Sequence, residues 1–191
     1  MKHVTFRFYA ELNDFLPVER RHREFVCPFQ GRVSVKDLIE SLGIPHPEVD
    51  LILANGQSVD FTYVVCDADR ISVYPMFESF DISPVIRLRP TPLREPRFVL
   101  DTHLGRLAAH LRLAGFDALY RNDYQDAELV EISTGQQRIL LSRDQALLKC
   151  GALTHAYYVR EIRHAGQLVE VLRRFDLCRL VKPFQRCLRC N

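Results

Sequence analysis

The stretch that decides the fold of the second half of the chain is FVLDTHLGRLAAHLRLAG, at residues 98–115. Three apolar residues in a row end at Asp101, which indicates a short buried strand. Apolar residues then recur at helical spacing until Gly115, which is positioned to end a helix. The recurring residues are Leu104, Leu107, Ala108, Leu111 and Ala114. The stretch therefore predicts a strand that is followed directly by a helix.

Strands and helices continue to alternate toward the C-terminus. Further strands are expected where short apolar runs occur, at 118–120, 139–141 and 156–159. Helices are expected at about 126–136, from about Asp144 onward, and at 167–175. This alternation predicts an α/β domain in which a parallel sheet carries helices on both faces.

The first 82 residues have the pattern of a smaller α+β domain. Residues 4–8 alternate apolar and polar side chains, as in a half-buried strand, and helical spacing after Ser34 stops at Gly43. Other strand segments are expected at 24–27, at 51–53, around Val59 after an Asn-Gly turn, and at 71–74. The order strand, strand, helix, strand, strand predicts a β-grasp domain.

A stretch rich in proline and arginine separates the two halves. Residues 83–97 hold four prolines and four arginines, and so many prolines fit neither a helix nor a central strand. We therefore expect a β-grasp domain at 1–82, a linker at 83–97, an α/β domain at 98–182 and a separate tail at 183–191.

The net charge of +2 is the sum of two unlike halves. Residues 1–82 hold 8 basic and 13 acidic residues, whereas residues 83–191 hold 18 basic and 11 acidic residues. A basic domain favours a polyanionic partner such as nucleic acid. No apolar run approaches the roughly 18 residues of a membrane span, and no secretory signal is visible. We expect a cytoplasmic protein without membrane contact.

Carboxylates follow three of the predicted strands of the second half. Asp101 follows the first strand, Asp123 and Asp126 follow the second, and Asp144 follows the third. In an open parallel sheet, ligands bind beyond the carboxyl ends of the strands. Carboxylate oxygens suit Mg²⁺ or Mn²⁺, which most often serve phosphoryl chemistry. Because no Walker-type phosphate loop occurs, phosphodiester hydrolysis is favoured over nucleotide hydrolysis.

The same acids have an alternative role as helix caps, because Asp before a helix accepts hydrogen bonds from free backbone N–H groups. The protein would then be a non-catalytic RNA-binding adaptor or a protein-interaction module. Ser142 with Gln145 also resembles a capping box, which would start the helix and leave Asp144 free.

Basic side chains near the predicted acids are candidates for binding substrate phosphates. Arg106 and His103 share a helix flank with His110, and Arg143 lies beside Asp144. A solvated polar face is the alternative role of these residues.

The six cysteines are not spaced as a disulfide framework. Cys187 and Cys190 form one pair, which is half of a zinc ribbon, whereas a structural zinc site needs four ligands. Cys178 is a weak candidate for a third thiolate. The pair is otherwise idle, redox-active or completed by another molecule.

Segments along the second half resemble the PIN-like ribonuclease domain first recognised at the C-terminus of mutator-type exonucleases. These segments lie at 98–101, 103–108, 111–117, 126–129, 138–144 and 186–191. The first 80 or so residues, including 7–16 and 74–80, resemble the ubiquitin-like domain that precedes it in bacterial versions.

The resemblance implies a PIN fold whose acidic residues bind Mg²⁺ or Mn²⁺ and hydrolyse RNA, as an endonuclease, through a metal-activated water. The expected substrate is single-stranded or structured RNA. Carried over by position, the core acids are Asp101, Asp126 and Asp144, with Asp123 and Glu128 as weaker candidates. Arg106, Arg143, Ser142 and His103 are the expected substrate-binding residues.

The sequence departs from the family pattern in two respects. Ser142 stands where the family usually has Thr, and the hydroxyl is kept. The family also continues past its first Cys pair with a second pair that completes a zinc ribbon. We therefore expect the sequence to be truncated after Asn191, and Zn²⁺ to bind only if a second Cys pair is supplied.

The first domain also resembles sulfur carriers of the molybdopterin and thiamine pathways. Those carriers need a flexible Gly-Gly terminus, but no glycine occurs between Gly56 and Gly105. Sulfur transfer is therefore not expected, and a docking role with an unknown protein partner remains.

Overall fold

The computed structural model describes residues 1–75 and 96–191, and the chain divides into two compact units between Thr91 and Pro92. The predicted linker at 83–97 lies outside the described residues except for its last two positions, so its predicted bounds remain a prediction. In the described parts of the chain, no helix is long and apolar enough to cross a membrane.

Within residues 1–75, the first unit forms a mixed five-stranded sheet with one α-helix. Its strands are β1 (Lys2–Phe8), β2 (Phe25–Phe29), β3 (Val49–Ala54), β4 (Gln57–Val59) and β5 (Arg70–Pro75), and its helix is α1 (Val35–Ser41). The strand order is β2-β1-β5-β3-β4, with β1 and β5 parallel and the other neighbours antiparallel. The β-grasp prediction is confirmed.

The alternation in β1 explains how this sheet builds a core. Val4, Phe6 and Phe8 are buried, and they form one apolar cluster with Val35 and Ile39 of α1. Period-two spacing puts one row of side chains on the helix-covered face, and the intervening polar residues on the other. Short 3-10 helices connect these elements at Ala10–Phe15, Val18–Arg20 and His46–Glu48.

The second unit is a four-stranded parallel sheet. Its strands are β6 (Phe98–Leu100), β7 (Ala118–Tyr120), β8 (Ile139–Ser142) and β9 (Ala156–Tyr158). Its helices are α2 (Gly105–Leu113), α3 (Asp126–Gly135), α4 (Gln145–Leu148) and α5 (His164–Arg174), with 3-10 helices at Thr102–Leu104 and Cys178–Leu180. The strand order is β7-β6-β8-β9, and all three pairings are parallel.

Helices cover both faces of this sheet, as predicted. Phe98 and Leu100 of β6 pack in a cluster with residues of α2 and α5, whereas Val99 packs with residues of α3 and α4. The chain leaves β6 for β7 on one side and returns to β8 on the other. The strand order therefore reverses at β6, which places the expected ligand crevice at the carboxyl ends of β6 and β8.

The last helix begins earlier than predicted. The apolar spacing suggests a start at Gln167, but α5 begins at His164. The Glu161 carboxylate accepts hydrogen bonds from the backbone N–H groups of Ile162 and Arg163, at 2.8 and 3.0 Å. This side chain stabilises the turn before the helix. The spacing of apolar residues cannot predict such a polar contact, so the start of the helix was predicted too late.

A buried ion pair ties the amino ends of β7 and β8 together. Arg138 donates through Nη1 to Asp117 Oδ1 at 2.6 Å and to the Phe98 carbonyl oxygen at 3.2 Å. The two side chains are 7% and 17% exposed. Burial acts to raise the pKa of Asp117, but hydrogen bonds from Arg138 and Asn191 outweigh it and hold the pKa below its ordinary value.

Breaking this pair should destabilise the second unit. We expect Arg138→Met to lower its free energy of unfolding by about 3 kcal/mol, because Asp117 keeps a partly buried charge without its main partner. Hydrogen exchange of the β6 and β8 amides in the full chain measures the loss. Arg121→Met is the matched control, since Arg121 and Asp123 form an exposed ion pair, and exposed pairs contribute little to stability.

The loss of stability in Arg138→Met should depend on pH. A lowered folded-state pKa makes the Asp117 contribution fully present above the unfolded pKa of about 4, and the contribution is lost as the pH falls through the folded value. The difference between the wild type and Arg138→Met should therefore shrink below about pH 4. An equal difference at all pH values would contradict the assignment to this ion pair.

Candidate active site

One buried hydroxyl joins two of the predicted acids at the carboxyl edge of the second sheet. Leu100 pairs with Leu141, so Asp101 and Ser142 are the next residues on neighbouring strands. The fully buried Ser142 donates through Oγ to Asp101 Oδ2 at 2.6 Å, and the backbone N–H of Asp144 donates to Ser142 Oγ at 2.8 Å. Ser142 thus uses both its donor and an acceptor position to connect Asp101 with Asp144.

Asp101 does not act as a helix cap. It precedes the 3-10 helix Thr102–Leu104, but its side chain accepts no backbone hydrogen bond there. Its Oδ1 accepts from Thr102 Oγ1 at 3.1 Å, and the residue is only 7% exposed. Capping therefore does not account for this buried carboxylate.

Asp144 does act as a helix cap. Its Oδ1 accepts from the backbone N–H groups of Ala146 and Leu147, at 2.7 and 3.4 Å, and so begins α4. The interpretation in which Ser142 and Gln145 start this helix is wrong, because Ser142 is engaged with Asp101 and with the backbone of Asp144. The other carboxylate oxygen of Asp144 accepts no hydrogen bond from the residues that the structure describes.

The acids that follow β7 lie in other environments. Asp126 is the exposed first residue of α3, and Gln125 is the N-cap of that helix. Glu128 accepts from the Gln125 backbone N–H at 3.0 Å in a capping box. Asp123 accepts two hydrogen bonds from Arg121, at 2.9 and 2.7 Å, which hold its pKa below the ordinary value.

The structure brings together two of the three predicted core acids. Among residues 1–75 and 96–191, no three His, Cys, Asp or Glu side chains lie close enough to form one metal-binding group. Mg²⁺ is commonly held by one or two carboxylates, with waters and substrate phosphates completing its shell. Asp101 and Asp144 fit this oxygen donor set, and a ligand role of Asp126 remains a prediction.

Arg143 has structural partners that the sequence does not reveal. Its Nη1 donates to the carbonyl oxygens of Val159, Arg160 and Glu161, at 2.9, 3.0 and 2.8 Å. The guanidinium thus holds the chain that follows β9 against the end of β8. Because every residue has a backbone carbonyl, the sequence does not show which carbonyls an arginine will contact, and this role could not be predicted. Its predicted role in phosphate binding remains untested.

The basic candidates in the two consecutive helices after Asp101 are more accessible: His103 lies in the 3-10 helix Thr102–Leu104, whereas Arg106 and His110 lie in α2. His103 and Arg106 are exposed and make no hydrogen bond or ion pair with a residue that the structure describes. His110 is half-buried, and its buried Nδ1 has no hydrogen-bond partner within residues 1–75 and 96–191. Arg106 and His103 thus remain candidates for binding a phosphate.

The C-terminal Cys pair belongs to the second unit, and hydrogen bonds from α2 hold the backbone between its two cysteines. Arg112 donates through Nη1 to the carbonyl oxygens of Leu188 and Arg189, at 3.0 and 3.1 Å. Both thiols are exposed, and backbone N–H groups of Cys190 and Arg189 lower the pKa of Cys187. Gly115, at φ +99°, lets the tail approach, because a Cβ there would clash with the Lys182 carbonyl oxygen.

Comparisons with known proteins agree with this architecture. The family model of the Mut7-C RNAse domain matches residues 96–191, and that of Mut7-C ubiquitin matches residues 1–81. The chain therefore belongs to the Mut7-C RNAse domain family and carries the family's ubiquitin-like domain ahead of it. Membership of this family points to a nuclease-like hydrolase.

Two solved structures of small archaeal modifier protein 1 from Haloferax volcanii are similar to part of the chain. One is 17% identical at a TM-score of 0.32, covering 39% of this chain and 98% of the modifier. The other is 15% identical at a TM-score of 0.32, covering 41% and 99%. A comparison with curated proteins finds no match.

Removing the Ser142 hydroxyl should disrupt the link between the two acids. We expect Ser142→Ala to lower the free energy of unfolding of the second unit by about 1–3 kcal/mol, because buried Asp101 loses a donor. Ser142→Thr keeps the hydroxyl and is the matched control. Hydrogen exchange at the Asp144 amide reports the local effect, and equal protection in both variants would contradict the bridging role.

Proposed function

We propose that the second unit is a metal-dependent ribonuclease that hydrolyses RNA phosphodiesters at Asp101 and Asp144. The observation that carries this proposal is the Ser142 hydroxyl, which links the Asp101 carboxylate to the backbone N–H of Asp144 at the crevice where the strand order reverses. Membership of the Mut7-C RNAse domain family supports the same reaction class.

The protein's contribution is to hold two carboxylates in fixed orientations. Ser142 and Thr102 each donate a hydrogen bond to Asp101, which holds that carboxylate in one orientation. Backbone N–H groups hold Oδ1 of Asp144, which leaves Oδ2 as a potential ligand. A bound Mg²⁺ or Mn²⁺ would supply a water of lowered pKa and a clamp for the phosphate.

Other predicted residues take secondary roles in this proposal. Arg106 and His103 would bind phosphates of the RNA, because they are exposed in the 3-10 helix and in α2, which follow Asp101 in the chain. Asp126 would join the two acids when the metal and substrate are bound. Asp123 and Glu128 are less suited, because an arginine and a backbone N–H occupy their carboxylates.

The remaining parts of the proposal concern the RNA substrate, the cellular location, zinc binding and the partner of the first unit. We propose endonucleolytic cleavage of single-stranded or structured RNA in the cytoplasm. Cys187 and Cys190 would hold Zn²⁺ only together with two further ligands, since a structural zinc site takes four. The ubiquitin-like unit would dock a protein partner.

Asparagine substitutions separate metal binding from capping. Asn is about as good an N-cap as Asp, so Asp144→Asn should preserve α4 and change the free energy of unfolding by only a few tenths of a kcal/mol. As a metal ligand, however, Asp144 needs its charge. We expect Asp101→Asn and Asp144→Asn each to abolish Mn²⁺-dependent cleavage of single-stranded RNA, measured by gel with a labelled oligoribonucleotide.

Asp176→Asn is the matched control for these variants. Asp176 is exposed beyond α5 at φ +48°, a conformation that Asn also tolerates, so cleavage should be unchanged. Asp126→Asn tests the third acid and should also reduce cleavage. Full activity in both Asp101→Asn and Asp144→Asn would overturn the proposal and favour the adaptor, whose RNA binding is insensitive to EDTA.

A further inference from the structure

A groove of about 880 Å³ lies beside the candidate active site, at the end of β9. The chain from Arg160 to Arg163 forms one wall, and one side of α5, from Ala165 to Arg173, forms the other. Ser142 pairs with Tyr158, so β9 ends at the same edge of the sheet as β8. Neighbouring strands lie about 4.8 Å apart, which puts the end of β9 about 10 Å from that of β6.

The groove exposes arginines around two apolar side chains. Ile162 and Val169 are 74% and 45% exposed. Arg163 makes a 3.6 Å ion pair with Glu161 but remains 86% exposed, and Arg173 is also exposed. The lining of the groove holds three arginines against two glutamates.

The acidic residues of the groove are turned toward the protein backbone. Glu170 accepts hydrogen bonds from the Tyr157 hydroxyl and from the backbone N–H groups of Arg160 and Glu161, at 2.9, 2.8 and 2.9 Å. Glu161 accepts from two backbone N–H groups of the turn before α5. The carboxylates therefore shape the walls, whereas Arg163 and Arg173 present positive charge to the solvent.

Arg143 connects this groove with the candidate active site. It lies between Ser142 and Asp144 in the chain, and its guanidinium holds the carbonyl oxygens of Val159, Arg160 and Glu161. The wall of the groove is thus fixed to the strand end that presents Asp144. A polymer bound in the groove would be held in register with the two acids.

We propose that this groove binds single-stranded RNA next to the phosphodiester that is cleaved, with Arg163 and Arg173 on phosphates and Ile162 and Val169 against a base. The inference rests on the proposed ribonuclease function and assigns part of its substrate path. Charge complementarity selects the occupant, because exposed arginines suit a polyanion and unstacked bases of single strands pack on apolar surfaces.

Salt dependence of binding tests the phosphate contacts directly. For single strands, the slope of log K against log salt changes by about 0.7 for each phosphate neutralised. In the full chain, the double variant Arg163→Gln, Arg173→Gln should therefore lose about 1.4 from this slope. The probe is a fluorescein-labelled single-stranded oligoribonucleotide, followed by anisotropy in EDTA so that no metal-dependent cleavage occurs.

Two further variants sharpen the test. Arg179→Gln with Arg189→Gln removes the same charge from exposed positions outside the groove and should leave most of the slope intact. Ile162→Ser should weaken binding without changing the slope, because it removes an apolar contact and no charge. A groove double variant with the affinity and slope of its control would overturn the proposal and reassign the apolar pair to a protein contact.

The outcomes also separate this inference from the ribonuclease proposal. If the wild type cleaves RNA but the groove variant binds with an unchanged slope, the groove assignment alone fails. If binding depends on the groove but Mn²⁺ supports no cleavage, the groove assignment stands and the ribonuclease proposal fails.

Discussion

The parallel pairing of β6 with β8 is the interaction on which the second unit depends. β6 is only three residues long and wholly apolar, so it is stable only where other elements bury both of its faces. Pairing with β8 supplies hydrogen bonds on one side, and α2, α5, α3 and α4 supply the cover. The same register sets Asp101 beside Ser142. The interaction that builds the core thus also builds the candidate active site.

Much of this fold could be predicted because buried parallel strands leave a strong signal in the sequence. Runs such as 98–100 and 139–141 are continuously apolar, and each is followed by a helix. Chain order then predicts a parallel sheet, and its carboxyl edge predicts where Asp101 and Asp144 lie. The fold of the first unit could be predicted equally well, because the alternation in β1 and the Asn-Gly turn are local features of the sequence.

The hydrogen-bond partners within the site could not be predicted from the sequence. They depend on side chains that are distant in the chain and come into contact only in the folded structure. Ser142 looked like a cap by its spacing from Gln145, but pairing across strands gives it Asp101 instead. Asp123 follows a strand as Asp101 does, yet Arg121 two residues earlier occupies its carboxylate. Spacing identifies the sheet edge that a residue reaches, whereas the partner that it finds there depends on tertiary contacts.

Capping and metal binding, which the sequence presents as alternatives for the same acids, are compatible at Asp144. Backbone N–H groups of α4 use Oδ1, and this fixes the direction of the carboxylate while Oδ2 remains available. The helix that Asp144 starts therefore orients it for a ligand, as second partners orient ligands at metal sites. Asp101 is oriented by hydroxyl groups instead, and the shared Ser142 couples the two. A change at either strand end should therefore alter the position of both carboxylates.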